Sequence, residues 1–104
     1  MLLKTALPEF SEELLRLLLD ASEPMLAEQV SGLRMVERCR CGDDFCSSFY
    51  TAPKPIGSYG PSHRNVALSP KSGMIVLDLV DERIMQVEVL CRPELQSRLN
   101  LLLP

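Results

Sequence analysis

Cys39, Cys41 and Cys46 place three thiols within eight residues, Cys-Arg-Cys-Gly-Asp-Asp-Phe-Cys, and Cys91 adds a fourth far along the chain. A thiolate is both a nucleophile and a soft metal ligand, so this cluster is where the sequence shows chemistry that a plain core does not need. If Cys41 and Cys46 flank a turn over Gly42-Asp43-Asp44-Phe45, they face each other across a hairpin. Cys39, two residues back on the same strand, shares their face. Three sulfurs then lie within several ångströms of one another.

Three readings of the cluster follow. The first is reduced thiols packed as small apolar groups, since free cysteine is among the most buried residue types. Cys39 and Cys41 alternate in phase with Leu33 and Met35, which favours packing, although Glu37 falls on the same face. The second is a structural zinc site built from Cys39, Cys41 and Cys46, with Cys91 or His63 as the fourth ligand. The C-x-C-x4-C spacing lacks the C-x2-C pair that wraps backbone N–H groups around sulfur. The third is thiol redox chemistry, with a Cys41–Cys46 disulfide and a thiol activated by Arg38 or Arg40. Disulfide geometry across directly paired strands is restrictive, and no Cys-x-x-Cys at a helix start is present.

Elsewhere the chain offers no catalytic constellation. His63 is its one histidine, and nucleophile elbows, phosphate loops and His-Glu-x-x-His helices are absent. A Cys46–His63 pair has no sequence support beyond the presence of both residues. The protein therefore reads as non-enzymatic. Arg34, Arg38 and Arg40, with Arg64, would line the opposite strand face, as a solvated surface or as a basic strip for an acidic partner.

These residues need elements to position them. Pro8–Asp20 carries Phe10, Leu14, Leu17 and Leu18 at helical spacing, with Pro8 in the first turn. A second helix is expected over Pro24–Ser31, capped by Ser22 and stopped at Gly32. Leu33–Cys41 and Cys46–Ala52 switch to period two and read as a strand pair. Pro53 to Asn65 holds three prolines and two glycines and is expected to be a surface loop, with a brief strand at Val66–Ser69. Met74–Val80 and Ile84–Leu90 form the clearest hairpin. A three-residue connection, Asp81-Glu82-Arg83, would pair Leu79 with Met85, Leu77 with Val87 and Ile75 with Val89. Pro93 then opens a helix with Leu95, Leu99 and Leu102 inside.

The expected fold is α+β in a single domain over residues 1–104: an N-terminal helical hairpin, an antiparallel sheet of about four to five strands and a C-terminal helix. A net charge of −3 argues against general nucleic-acid or membrane binding. The acidic residues interrupting the N-terminal leucines leave no export signal or span, which reads as cytoplasmic. The leucine-rich terminal segments suggest a protein partner or self-association in a homo-oligomer.

The run Arg38–Cys46, followed by Val80-Asp81-Glu82-Arg83-Ile84 and Val87-Glu88-Val89-Leu90, resembles small bacterial proteins of uncharacterised function. That resemblance implies no activity, cofactor or partner.

Overall fold

The computed structural model describes residues 1–104. A short helix, α1 (Leu3–Ala6), precedes α2 (Pro8–Asp20) and α3 (Pro24–Gln29), which runs on into a 3-10 turn over Val30–Gly32. Five strands follow: β1 (Glu37–Arg38), β2 (Phe49–Tyr50), β3 (His63–Leu68), β4 (Met74–Val80) and β5 (Arg83–Leu90). Helix α4 (Pro93–Leu102) closes the chain. The strands form one antiparallel sheet in the order β1-β2-β5-β4-β3, so the α+β architecture matches the expectation.

Leu3, Leu7, Phe10, Leu14 and Leu18 are spaced by three and four residues and form one buried stripe along α1 and α2. Leu26, Ala27 and Val30 join it from the next segment, and Leu95 and Leu99 from α4. All pack on the same sheet face, where Ile75, Leu77 and Leu79 of β4 lie beside Ile84, Val87 and Val89 of β5. Phe49 is fully buried and meets the Phe10 ring edge-on at 6.1 Å between centroids. The result is two layers, helices over one sheet face, with Asp78, Gln86 and Glu88 beside Val76, Val80 and Leu90 on the other.

Four local expectations need correction. The β4–β5 connection is a two-residue turn: Val80 pairs with Arg83, and Asp81 (φ 51°) and Glu82 (φ 63°) are both left-handed, as a type I′ hairpin requires. Leu79 pairs with Ile84 and Asp78 with Gln86, so Met85 is an extra, bulged residue. The bulge reconciles the short turn with a common apolar face, and the Leu77–Val87 and Ile75–Val89 pairs stand as expected.

Ser22 is not a helix cap; it is a left-handed linker (φ 59°), and Glu23 precedes α3 without a side-chain cap bond. Strand β3 begins at His63, so the loop ends at Ser62. Polar residues on both faces of an edge strand had concealed its period. Finally, Leu33–Met35 does not continue into β1. It pairs with the N-terminal segment, through Leu3 N–H to Leu33 O and Met35 N–H to Met1 O, and turns Leu33 and Met35 into the core, away from the cysteine face.

Candidate metal centre and the polar sheet face

The sheet register explains how the thiols meet. Glu37 pairs with Tyr50 and Arg38 with Phe49, and the Cys39 N–H donates to Ser48 O at 2.8 Å. Continuing that register by two residues brings Cys41 opposite Cys46, across the turn that the Cys46 N–H closes onto Asp43 O at 3.2 Å. Phe49 lies on the core face, so alternation sends Cys39 and Cys46 to the polar one. The three sulfurs lie within 4.8 Å of one another. A cleft of about 200 Å³ at this end of the sheet is lined by the three cysteines together with Asp43 and, from α4, Gln96 and Asn100.

All four cysteines are free thiols. Cys39 and Cys46 are half-buried, Cys41 and Cys91 are exposed, and none belongs to the hydrophobic core. This overturns the reading of the cluster as core packing: the phase match with Leu33 and Met35 is broken where the chain turns before β1.

The backbone also does what the spacing alone did not promise. The Cys41 backbone pulls the Cys39 thiol down, and the Ser48 backbone does the same for Cys46. Each acts from residue i+2 and stabilises negative charge on sulfur. Cys46 Sγ also lies 3.4 Å from Ser48 Oγ; once the thiol ionises, that hydroxyl turns donor. Ser48 is itself fixed, because its oxygen accepts the Val89 N–H at 2.9 Å. For Cys46, burial pushes the thiol up, but the Ser48 hydroxyl and backbone and the neighbouring thiols outweigh it and bring the pKa below the usual value. For Cys39, burial wins and raises the thiol to about 11, with the nearby Cys46 charge adding to the rise.

The two candidate fourth ligands are not with this set. Leu90, not Cys91, is opposite Cys46. Cys91 lies beyond the strand in a left-handed conformation (φ 61°), its N–H tied to Phe45 O at 2.8 Å. His63 is on β3, at the other edge of the sheet from β1. Four strand spacings, about 19 Å, separate those edges. Its Nε2 is engaged by Asp78 Oδ1 at 2.7 Å. Arg64 stands apart from the first-strand arginines, paired with Glu82 on the far edge, while Arg38 donates to Leu103 O and Arg40 to Pro104 O.

No known protein family, characterised protein or solved structure matches this chain. The site is therefore read from its own geometry.

A second side-chain cluster, centred on Asp78, was not foreseen from the sequence. Glu37, Tyr50, Gln86, Asp78 and Asn65 form one rung across all five strands. Asp78 is only 4% exposed. Its Oδ1 accepts from His63 Nε2 and Asn65 Nδ2, both at 2.7 Å, while Oδ2 is buried with no partner. Tyr59, from the loop, donates to Gln86 Oε1 at 3.4 Å and lies with its ring centroid 5.0 Å from that of His63. The available signal was an aspartate in the middle of Met-Ile-Val-Leu-Asp-Leu-Val, where a solvated charge has no place.

Proposed function

We propose that the protein binds a soft metal ion, zinc first among them, through the thiolates of Cys39, Cys41 and Cys46. The observation that carries this reading is the convergence of three sulfurs within 4.8 Å. The Ser48 hydroxyl, 3.4 Å from Cys46 Sγ, supports it by favouring the Cys46 thiolate. Soft thiolates select zinc or copper(I) over hard cations. With three protein thiolates and an open cleft, a fourth coordination position is left for water, a small ligand or a donor from a second copy. An open position is the pattern of a reactive or exchanging zinc site, whereas a closed structural site has four protein ligands.

Other readings have less support. The exposed large apolar residues, among them Leu19, Met25, Ile56, Met74 and Leu101, come from separate segments of the chain, and nothing in their placement names a partner. A metal shared between copies would supply one. No helix is long and apolar enough to cross a membrane.

Elemental analysis of protein purified without chelator is expected to give one zinc per chain. Cobalt(II) in its place should show sulfur-to-metal charge-transfer bands of three-thiolate intensity. Cys39→Ser, Cys41→Ser and Cys46→Ser should each weaken binding by more than about tenfold, and Cys91→Ser and His63→Gln should not. Because each thiol must lose its proton, affinity should rise by more than about tenfold per pH unit between pH 6 and 8. Protein that takes up no stoichiometric metal, or a site lost in Cys91→Ser, overturns the reading. The mass of the loaded species separates a small fourth ligand from a second copy.

A further inference from the structure

The thiol cluster is a donor set of one kind. Cys39, Cys41 and Cys46 hold their sulfurs within 4.8 Å of one another, and no carboxylate or imidazole belongs to the group. The backbone builds this set before any guest arrives. The Cys39 N–H is tied to Ser48 O at 2.8 Å and the Cys46 N–H to Asp43 O at 3.2 Å. Gly42 takes the left-handed conformation (φ 83°) that lets the chain turn between Cys41 and Cys46. All three thiols are free of disulfides.

Three sulfurs suit some thiophilic centres better than others. Zinc prefers four tetrahedral ligands, so three thiolates leave it one short. Three thiolates on a dication also leave one negative charge in excess. The walls of the cleft do not compensate it. Asp43 and Asp44 are negative, and Arg38 is the one cation among the lining residues, its guanidinium held by Leu103 O at 2.7 Å. Holding an anionic complex in a half-buried site beside two carboxylates costs free energy. A trivalent centre that forms three bonds and keeps a lone pair meets neither difficulty. Its three thiolates cancel its charge, and its lone pair takes the direction in which zinc calls for a fourth ligand.

We propose that the cluster captures trivalent arsenic, supplied as neutral arsenous acid, in a closed three-thiolate complex. The inference rests on the reading of Cys39, Cys41 and Cys46 as one ligand set, and it names the guest that this set fits. The exchange balances without redox chemistry. Three As–OH bonds and three S–H bonds break, three As–S bonds form, and three waters leave. Arsenic stays trivalent and no proton is left over. The first As–S bond makes the second and third intramolecular, which gives the preset cluster its advantage over a lone thiol. Cys91 is such a thiol, exposed and outside the group. Antimonous acid, with the same valence and lone pair, belongs to the same class of guest.

Titration of the reduced, metal-free full chain with arsenite tests this. Non-denaturing mass spectrometry should show one arsenic per chain, the gain being one arsenic atom less three hydrogens, with no oxygen retained. X-ray absorption at the arsenic edge should find three sulfur neighbours. Cys39→Ser, Cys41→Ser and Cys46→Ser should each weaken binding by at least about tenfold, because each removes one intramolecular closure. Cys91→Ser should leave it unchanged. Two sulfurs with a retained oxygen on arsenic overturn the proposal, and so does an affinity that survives the loss of any one of the three thiols. The coordination found in the wild-type chain decides the matter if a variant fails to fold.

Cobalt(II) titrated into the same preparation separates this proposal from the reading beneath it. Cobalt held by three thiolates while arsenite stays unbound overturns the proposal alone. If neither binds, the ligand set itself falls, and the proposal with it. Arsenic held by three sulfurs upholds the proposal whether or not cobalt binds.

Discussion

At the scale of single residues, the three clustered thiols differ although their side chains are identical. Cys46 collects hydrogen bonds from Ser48 and its sulfur neighbours, and Cys39 is penalised first by burial. A rise from 9 to about 11 leaves Cys39 a thiolate fraction about a hundredfold smaller than that of an unshifted thiol. Pulsed alkylation of the metal-free protein at pH 7, read by peptide mass mapping, should therefore label Cys46 at least about tenfold faster than Cys39. Metal should protect both. Equal labelling of the two would mean that Ser48 does not stabilise the Cys46 thiolate. The spacing of the cysteines was legible in the sequence, but this ranking was not. It depends on Ser48, which lies outside the motif and is oriented by Val89 on another strand.

At the scale of elements, the β4–β5 hairpin shows how a short turn and a face-matching rule coexist. Deleting Met85 would leave Leu79 opposite Ile84 and Asp78 opposite Gln86, the same pairs as before, because Met85 is the residue without a partner. The shortened chain should fold with its register kept. Its main loss is the Thr51 N–H bond to Met85 O, worth about 1 kcal/mol, together with the extra twist that a bulge gives the sheet. Urea denaturation and cross-strand NOEs between Leu77 and Val87 check this; a slipped register would show that the bulge sets the pairing. Helical spacing placed α2 and α4, and strand pattern placed β4 and most of β5, because each carries its own apolar period. Edge strands β1 and β3, and the short β2 beside β1, were less legible. β1 and β2 are two residues each, β2 also pairs with the distant β5, and the polar residues of the edge strands face water on one or both sides.

At the scale of the molecule, Arg92 ties the layers at one corner. Its guanidinium donates to both oxygens of Glu13 on α2 at 2.9 and 2.8 Å, and to Glu94 on α4 at 2.7 Å. It also reaches Ser72 O in the β3–β4 turn at 3.3 Å. That turn depends on Gly73, where φ is +72° and an added Cβ would sit 2.5 Å from Leu90 O. Arg92→Ala should cost about 1–2 kcal/mol in chemical denaturation, since solvent screens the exposed Glu94 end. Glu94→Ala alone should cost much less. By itself the sequence determined the class of fold, the main helices, the central hairpin and the motif where chemistry sits. Those features are written in local periods of 3.6 and 2 and in residue type. Tertiary structure alone decided that Cys91 and His63 stand apart from the thiol cluster and that Asp78 is buried beside His63 and Asn65. Both outcomes follow from strand order, with β5 placed between β2 and β4. Such long-range pairings are chosen by the burial of a shared apolar face, and that choice fixes which polar residues meet on the other side.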